Sequence, residues 1–328
     1  MLNDSNVLII AEAGLNHNGD LSLAKTLVDR AYEVRADAIK FQTFKAETLV
    51  AQSTDSKQYD LLKSLELSFD DHQVLFDYCK TKGIPFLSSP FDPTTADFLD
   101  SMGVTAFKIA SSELTNHPLL DHIGRKDKPI LLSTGMSDLV EVGEAIHTIQ
   151  KVNDQPLTLL HCVSSYPTAP EDVNLQAIET MEIAFHLAVG YSDHTLGIEI
   201  PVAAVALGAT VIEKHFTLDS TMKGPDHSIS LDPQGFKEMV TAIRNVEKAL
   251  GDGLKVPVEK ELPVREAARR SLVAQRPIPA GTPITAEMIT SKRPGHGIPP
   301  KYFDLIIGKR LPKALEKDET ITWDILFP

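Results

Sequence analysis

Short apolar runs alternate with amphipathic segments along the first 250 residues of the chain. Within the segments, apolar residues recur with helical spacing, as at Leu23, Leu27, Ala31 and Val34. The runs cover residues 7–13, 38–43, 85–90, 106–110, 129–134, 158–163, 188–191 and 210–216. Eight strands, each followed by a helix, predict an α/β protein with a (β/α)8 TIM barrel. An open, doubly wound sheet is the competing fold, but the polar residues that close most of the runs favour a closed barrel.

The composition and the hydrophobic pattern of the sequence change after residue 253. A Gly-Asp-Gly sequence ends the last predicted barrel helix, which gives a catalytic barrel over residues 1–253. A charged linker, expected to be partly helical, follows over 254–270. Residues 271–328 are rich in Pro and Gly and contain β-like pieces at 271–274 and 320–325, a pattern typical of a small β-rich domain. Because so small a domain has little core of its own, we expect it to lend residues to a neighbouring active site or to serve in dimerisation.

Composition and charge exclude several classes of protein. The chain has 32 basic and 45 acidic residues, and its net charge of −13 argues against nucleic-acid and membrane-surface binding. Its two cysteines, Cys79 and Cys162, form no disulfide framework, and Cys162 is interpreted as a buried, inert thiol. Residues 1–4 lack the features of a signal peptide, and no apolar stretch approaches the ~20 residues of a membrane span. We therefore expect a cytoplasmic protein that holds any anionic ligand in a local basic pocket.

Two neighbouring strand ends carry histidines, His194 and His215. Because side chains alternate along a strand, Ser192 shares a face with His194, and Glu213 shares a face with His215. Two neutral imidazoles that converge from adjacent strand ends are suited to a divalent metal ion. The alternative is two unrelated loop histidines.

Charged and hydroxyl side chains close the other strands. Glu12 would be costly in an apolar strand unless it pairs with Lys40, binds sugar hydroxyls or transfers a proton. Lys40 and Lys108, together with small hydroxyls, predict a phosphate cradle. Either lysine could instead form a Schiff base in an aldolase. Asp226, in the loop after the eighth strand, could accept a hydrogen bond from a substrate hydroxyl or polarise a metal-bound water, and a simple Gly-Pro turn is the alternative. The strand-end hydroxyls are those of Ser88, Ser89, Ser111, Ser112, Ser133, Thr134, Ser164 and Ser165.

Several common catalytic motifs are absent from the sequence. There is no Walker loop and no Gly-x-Gly-x-x-Gly, so nucleotide binding has no support. There is also no Gly-x-Ser-x-Gly elbow of a serine hydrolase, and no His-x-His of the amidohydrolase barrels.

Taken together, the strand-end motifs resemble those of the sialic acid synthase family over nearly the whole chain. The matching residues lie at 10–14, 16–19, 40–43, 89–91, 133–136, 191–194, 213–216 and 224–227. Residues 292–295 are similar to the signature of the family's C-terminal antifreeze-like (SAF) domain. The resemblance implies a phosphoenolpyruvate-dependent condensation with an N-acetylhexosamine, N-acetylmannosamine first, to give N-acetylneuraminate and phosphate for lipopolysaccharide or capsule synthesis.

The resemblance also implies roles for individual residues. His194 and His215 would bind the cofactor, Mn²⁺ or Mg²⁺. The phosphoenolpyruvate contacts would be those of Lys40, Ser89, Lys108, Ser111, Ser133 and Ser192, with Ser164 standing where some members carry Asn. The sugar contacts would be those of Glu12, Gln42, Tyr166, Glu213 and Asp226, and Phe91 would be a further substrate-binding residue. Arg293 would reach the partner's barrel in a domain-swapped homodimer.

Three alternatives stay open at the level of sequence. The same chemistry on a 2,4-diacetamido-2,4,6-trideoxyhexose would give legionaminic acid or, with less support from the 224–227 loop, pseudaminic acid. A non-catalytic sugar- or ice-binding protein is the third alternative. Within the enzyme reading, either Glu213 or Asp226 could take the proton of the attacking water.

Overall fold

The computed structural model describes residues 6–326. Residues 1–5, on which the signal-peptide prediction rests, and residues 327–328, at the end of the predicted second domain, lie outside this range. The chain divides into two compact units, Met1–Gly251 and Asp252–Pro328. The predicted linker at 254–270 therefore falls within the second unit.

Eight parallel strands form the first unit, and the predicted (β/α)8 barrel is confirmed. Hydrogen-bonded neighbours follow the order β3-β2-β1-β8-β7-β6-β5-β4, and β3 contacts β4 to close the cylinder. The strands are β1 (Leu8–Gly14), β2 (Ala38–Thr43), β3 (Phe86–Pro90), β4 (Phe107–Ile109), β5 (Ile130–Ser133), β6 (Leu157–His161), β7 (Val189–Asp193) and β8 (Val211–His215).

Helices connect successive strands and cover the barrel. Several begin at an aspartate or serine whose side chain accepts hydrogen bonds from the first turn, as Asp20 does from Ser22 and Leu23. Among residues 6–326, no helix is long and apolar enough to cross a bilayer. The barrel helices are α1 (Leu21–Glu33), α2 (Ala46–Leu49), α3 (Ser56–Leu65), α4 (Phe69–Lys82), α5 (Pro93–Met102), α6 (His117–Gly124), α7 (Leu139–Gln150), α8 (Gln176–Phe185), α9 (Glu199–Ala206) and α10 (Pro233–Leu250).

The barrel interior changes from apolar to polar along its axis. Inward residues at the amino-terminal half form an apolar plug that includes Leu8, Ile10 and Leu131. Two residues further along a strand, the same face carries a polar group, so that Ile10 is followed by Glu12. A second and larger core fills the layer between the strands and the helices. The apolar plug thus lies directly beneath the polar side chains at the strand ends.

The first and last loops at the carboxyl end of the barrel are joined. Asn18 Nδ2 donates to the carbonyl of Lys223 at 3.0 Å, and His227 Nε2 lies 3.2 Å from Asn18 Oδ1. Asn16 Nδ2 donates to the carbonyl of Phe216 and to Ser230 Oγ, both at 2.9 Å. These bonds fix the loop that carries Asp226 against the loop that follows β1.

The second unit has its own small core around an antiparallel pair of strands, β9 (Ser271–Ala274) and β10 (Ile289–Lys292). Its helices are α11 (Leu262–Ala268), α12 (Phe303–Ile306) and α13 (Trp323–Leu326). The predicted β-like piece at 320–325 is wrong over most of its length. Thr320 forms an isolated bridge to Val273, but the chain then turns into α13, where the amide of Leu326 donates to the carbonyl of Thr322.

Gly190 permits close packing inside the barrel. A Cβ at this position would lie 2.6 Å from the carbonyl oxygen of Val211 and 2.7 Å from Leu160 Cδ2. We predict that Gly190→Ala lowers the free energy of unfolding by about 1–3 kcal/mol, since a methyl group cannot enter without moving the backbone of β8. The matched control is Gly143→Ala in α7, where the new Cβ would meet only Phe185, at 3.5 Å. Urea denaturation measures both, and equal stabilities of the two variants would contradict the prediction.

His17, in the loop after β1, is buried and accepts a hydrogen bond from the Gly19 amide at Nδ1. Burial, aided by nearby His72, lowers its pKa from 6.5 to about 4. Between these values the unfolded chain binds a proton that the native protein does not, so stability is lost as the pH falls from 6.5 toward 4. We predict that His17→Asn, which keeps an acceptor for Gly19, removes about one proton from the slope of unfolding free energy against pH in this window. Urea titrations from pH 4 to 7 measure the slope, with the exposed His147→Asn as control; an unchanged slope in His17→Asn would show the prediction to be wrong.

Candidate active site

A cavity of about 330 Å³ opens at the carboxyl ends of the barrel strands. Barrel enzymes place their chemistry at this face. Almost all the predicted site residues of the first unit line the cavity, which brings together side chains from every strand end. The predicted residues found there are Glu12, Lys40, Gln42, Ser89, Phe91, Lys108, Ser111, Ser133, Ser164, Tyr166, Ser192, His194, Glu213 and His215.

Four charged side chains form a compact cluster on the cavity floor. Lys40 Nζ lies 2.7 Å from Glu12 Oε2 and 3.8 Å from Glu213 Oε2. Lys108 Nζ lies 3.2 Å from Glu213 Oε1. All four side chains are at most 5% exposed, so each charge depends on the others for compensation. The ion pair between Glu12 and Lys40, one of the alternatives posed by the sequence, is present, and both side chains line the cavity.

The two carboxylates of this cluster respond to their surroundings in opposite directions. Burial raises the pKa of Glu12, although Lys40 opposes the shift. Burial would also raise the pKa of Glu213, but Lys108 and Lys40 outweigh it and hold that pKa near 2. Burial lowers the pKa of Lys108, whereas Glu12 and Glu213 outweigh burial at Lys40 and raise its pKa. Glu213 is therefore firmly ionised, and Glu12 is the carboxylate that protonates more readily.

Small donors line the wall between β4 and β6. The Gly135 amide donates to Ser111 Oγ at 3.0 Å, and Ser111 Oγ lies 3.1 Å from Cys162 Sγ. A Cβ at Gly135 would lie 2.9 Å from Ser111 Oγ and 3.0 Å from Cys162 Sγ, so the backbone approaches these groups closely. Ser133 Oγ is buried and has no hydrogen-bond partner among residues 6–326. This wall offers donors to an anion in the cavity.

The two predicted metal-binding histidines face each other across the cavity. Their ring centroids are 5.5 Å apart. His194 Nδ1 donates to the carbonyl of Val163 at 2.8 Å, which leaves the Nε2 lone pair available. His215 Nδ1 is also buried, and within the described part of the chain it has no hydrogen-bond partner. Burial lowers the pKa of both rings, so both are neutral.

This pair of histidines fits a divalent cation as two of its ligands. Metal-binding imidazoles are neutral, and a backbone carbonyl commonly orients the ring through its other nitrogen, as at His194. Within residues 6–326, no group of three or more His, Cys, Asp and Glu side chains is arranged to hold a metal ion. The other ligands of a cation at this place would therefore be oxygens of substrate and water.

Two predicted residues of the first unit lie near the edge of the cavity, and a third predicted residue belongs to the second unit. Tyr166 is 56% exposed, and its ring centroid is 4.3 Å from that of His194. Asp226 Oδ2 lies 3.9 Å from His215 Nδ1, beyond hydrogen-bonding distance. Arg293 belongs to the second unit, where it is exposed and directly follows β10.

Four further residues line the cavity, Ala110, Ser112, Met136 and Cys162. Cys162 is buried, as predicted, but its thiol faces the site. The signal was available, because Cys162 and Ser164 share one side of the strand by alternation. Met136 is 71% exposed and has a positive φ of 64°, a rare conformation for a non-glycine residue. The sequence interpretation considered the hydroxyl side chains at the strand ends, and it therefore did not identify Cys162 or Met136 as cavity residues.

A larger cavity, of about 730 Å³, lies at the opposite end of the barrel among residues that begin the strands, such as Leu8 and Phe86. Its charged lining residues are Asp37 and Lys80. The smaller cavity holds the paired charges, the two neutral histidines and the hydroxyls, and is therefore the candidate active site.

The sequence and the fold were compared with those of known proteins. A model of the NeuB family matches residues 27–255, and one of the SAF domain matches residues 269–326. The N,N'-diacetyllegionaminic acid synthase of Legionella pneumophila is 48% identical, over 96% of this chain and 93% of that protein. The human N-acetylneuraminate-9-phosphate synthase is 37% identical, over 97% and 92%. The crystal structure of N-acetylneuraminic acid synthetase from Leptospira borgpetersenii, in complex with citrate, is 39% identical and has a TM-score of 0.76, covering 79% of this chain and 90% of that chain.

Proposed function

The chain belongs to the NeuB family, and from this premise we propose that it condenses phosphoenolpyruvate with an open-chain N-acetylated amino sugar and water to give a nonulosonic acid and phosphate. One observation carries the proposal. A single cavity combines an anion-binding wall and two buried lysines with two neutral histidines. An enolic phosphate and a sugar aldehyde require these two kinds of group side by side.

Phosphoenolpyruvate occupies the part of the cavity lined by lysines and small donors. Lys40 and Lys108 bind its negative charges, and Lys40 Nζ already reaches Ser89 Oγ at 3.4 Å. The unpartnered Ser133 hydroxyl gains an acceptor when an anion enters. Ser111, Ser164 and Ser192 complete the set of donors around the phosphate and carboxylate.

The sugar lies toward the histidines and the rim. His194 and His215 would hold a divalent cation, Mn²⁺ or Mg²⁺, whose chemistry would be Lewis-acid polarisation of the aldehyde oxygen. Carbon 3 of phosphoenolpyruvate forms a bond to the aldehyde carbon, and the aldehyde oxygen takes up a proton to become a hydroxyl. Water adds at carbon 2 and loses one proton. The bond from carbon 2 to the phosphate oxygen then breaks, carbon 2 becomes a ketone, and the second proton of the water leaves with the phosphate. Glu12, Gln42, Phe91 and Tyr166 orient the sugar, with Gln42 Nε2 donating to Glu12 Oε1 at 3.2 Å.

Asp226 is the better placed of the two candidate proton acceptors. Glu213 Oε1 accepts from Ser192 Oγ at 3.0 Å and pairs with Lys108, and its Oε2 faces Lys40. The Asp226 carboxylate stands 3.9 Å from His215 with lone pairs free of such bonds. Asp226 therefore takes the proton of the attacking water, while Glu213 holds the two lysines in place.

We favour a 2,4-diacetamido-2,4,6-trideoxyhexose as the sugar, which gives N,N'-diacetyllegionaminic acid. Identity to the Legionella legionaminic acid synthase is 48%, against 37% to the human N-acetylneuraminate-9-phosphate synthase. The motifs alone did not decide between the two sugars, and the family resemblance had placed N-acetylmannosamine first. N-Acetylmannosamine is the second candidate, favoured by the 39% identity to the Leptospira sialic acid synthetase. The product would serve surface-polysaccharide synthesis from the cytoplasm, where phosphoenolpyruvate is made.

We also propose a domain-swapped homodimer in which Arg293 of the partner subunit completes the sugar site. Residues 1–251 contain 19 basic and 35 acidic residues, whereas residues 252–328 contain 13 basic and 10 acidic residues. This opposite charge makes association of a second unit with a barrel electrostatically favourable, as the proposed dimer requires. Arg293 is exposed and can offer its guanidinium donors to a sugar carbonyl or hydroxyl.

Phosphate release tests the function. With Mn²⁺, wild-type protein should release phosphate from phosphoenolpyruvate only when a sugar is present, with kcat/KM at least about tenfold higher for the 2,4-diacetamido sugar than for N-acetylmannosamine. EDTA should abolish release, Mn²⁺ should restore it, and His215→Ala should stay inactive under both conditions. Higher kcat/KM with N-acetylmannosamine would favour the second candidate. Binding of sugars without phosphate release from any of them would instead support the non-catalytic alternative.

Subunit mixing tests Arg293. We predict that Arg293→Ala raises the KM for the sugar by about tenfold or more and leaves the thermal unfolding of the barrel unchanged. Lys292→Ala, at an exposed neighbour paired with Asp318, is the matched control. Co-expressed Arg293→Ala and Lys108→Met subunits should regain activity, because the mixed dimer then has one barrel with an intact floor and the partner's intact arginine. Failure of the mixed dimers to exceed the activity of either parent would show that Arg293 acts within its own subunit or not at all.

A further inference from the structure

A buried polar cluster lies behind the two histidine-bearing strands, on the side that faces the helices. It consists of Tyr191, Asp193, Thr195 and Lys214, and we call it the rear cluster. Asp193 and Lys214 are both fully buried, and Asp193 Oδ2 lies 2.5 Å from Lys214 Nζ. The proposed reaction uses none of these side chains, because strand alternation points them away from the cavity.

Every acceptor position of the Asp193 carboxylate is engaged from a different direction. Oδ1 accepts from Tyr191 Oη at 3.0 Å and from the Thr195 amide at 2.9 Å. Oδ2 accepts from Thr195 Oγ1 at 3.1 Å and from Lys214. A carboxylate held by four donors has one position and one orientation, so the turn that follows β7 is rigid.

Lys214 joins the two chain segments that carry the imidazoles. Its ammonium donates to the Asp193 side chain and to the carbonyl oxygen of Thr195, the residues immediately before and after His194. Lys214 itself immediately precedes His215, and β7 pairs with β8 so that Asp193 lies opposite Lys214. One side chain therefore fixes both sides of His194 relative to the strand end that holds His215.

Stability alone gives a weak reason for this pair. A buried ion pair must recover the cost of removing two charges from water, and apolar residues of similar volume often stabilise a core equally well. The same layer contains fully buried apolar residues such as Ile212, Phe216 and Val205, although the His161 ring also contacts Tyr191. The geometry instead suggests a requirement for fixed orientation.

We propose that the Asp193–Lys214 pair is a positioning device that sets the separation and orientation of His194 and His215. Its consequence for catalysis rests on the proposed function, but its effect on the imidazoles does not. Lys214 and Asp193 are positioning residues, since neither touches the cavity.

Lys214→Met tests the proposal, because it keeps the volume of the side chain and removes the bond across His194. Mn²⁺ binding, measured by electron paramagnetic resonance of the free ion, should weaken about ten- to hundredfold. Nitrogen-15 NMR should show loss or rapid exchange of the His194 Nδ1–H signal, which in wild type is held by the carbonyl of Val163. The KM for phosphoenolpyruvate should change much less than kcat, because Lys40 and Lys108 are untouched.

Two controls separate position from stability. Arg244→Met removes an ion pair to Asp37 that lies near the starts of the strands, and it should destabilise the fold without changing Mn²⁺ affinity or the His194 signal. The double variant Asp193→Asn with Lys214→Met leaves no unpaired charge, so it should recover thermal stability while Mn²⁺ binding stays weak. Should Lys214→Met fail to fold, Tyr191→Phe removes only one donor to Asp193 and should show a smaller loss in the same direction.

The outcomes discriminate between the two proposals. Variants that are less stable but bind Mn²⁺ and hold the His194 proton like wild type would overturn the positioning role. If wild type neither binds Mn²⁺ nor releases phosphate, the proposed function fails, yet loss of the His194 signal in Lys214→Met would still support the positioning role. Retention of the His194 signal in Lys214→Met would overturn the positioning role.

Discussion

The mutual compensation of four buried charges is the constraint on which this molecule depends. Glu12, Lys40, Glu213 and Lys108 stand directly above an apolar plug, where one unpaired charge would cost several kcal/mol. With two acids against two bases, the floor of the cavity is neutral before any ligand arrives. Under the proposed function, phosphoenolpyruvate brings further negative charge into this neutral site. Under the same proposal, a divalent cation beside the histidines and the arginine of the partner's second unit would compensate this added charge.

Strand alternation made much of this arrangement predictable from sequence. The apolar runs located all eight strands to within a few residues, and a period of two placed Ser192 with His194 and Glu213 with His215 on the inner face. The two-residue period does not predict which side chains of different strands contact each other. Whether Lys108 faces Glu12 or Glu213 depends on the register and stagger of the closed barrel, which local sequence does not encode. For the same reason the β-like piece at 320–325 was misjudged, since its β-branched residues indicated a strand and Thr322 instead begins a helical turn.

Because side chains alternate, the two faces of one strand carry side chains with different roles. At the ends of β7 and β8, each inward residue of the candidate site has an outward neighbour in the rear cluster, so that Ser192 follows Tyr191 and His215 follows Lys214. Inward groups need free lone pairs and protons to act on a ligand, and they are accordingly under-bonded, as Ser133 Oγ and His215 Nδ1 are. Outward groups have no such need, and Asp193 can use all of its lone pairs on the protein. Incomplete hydrogen bonding inside the barrel is tolerable because complete bonding outside it holds the backbone still.

The net charge of −13 is a poor guide to what this cavity binds. At physiological ionic strength the Debye length is about 8 Å, so most of the acidic surface of the first unit is screened from the strand ends. The charges that act on a ligand are those within a few ångströms of it, and there two lysines and a row of donors face two carboxylates whose charges they already balance. The positive excess of the second unit acts over the same short range. It can assist an anionic substrate only if that unit stands at the mouth of a barrel, which is the arrangement that the proposed dimer provides.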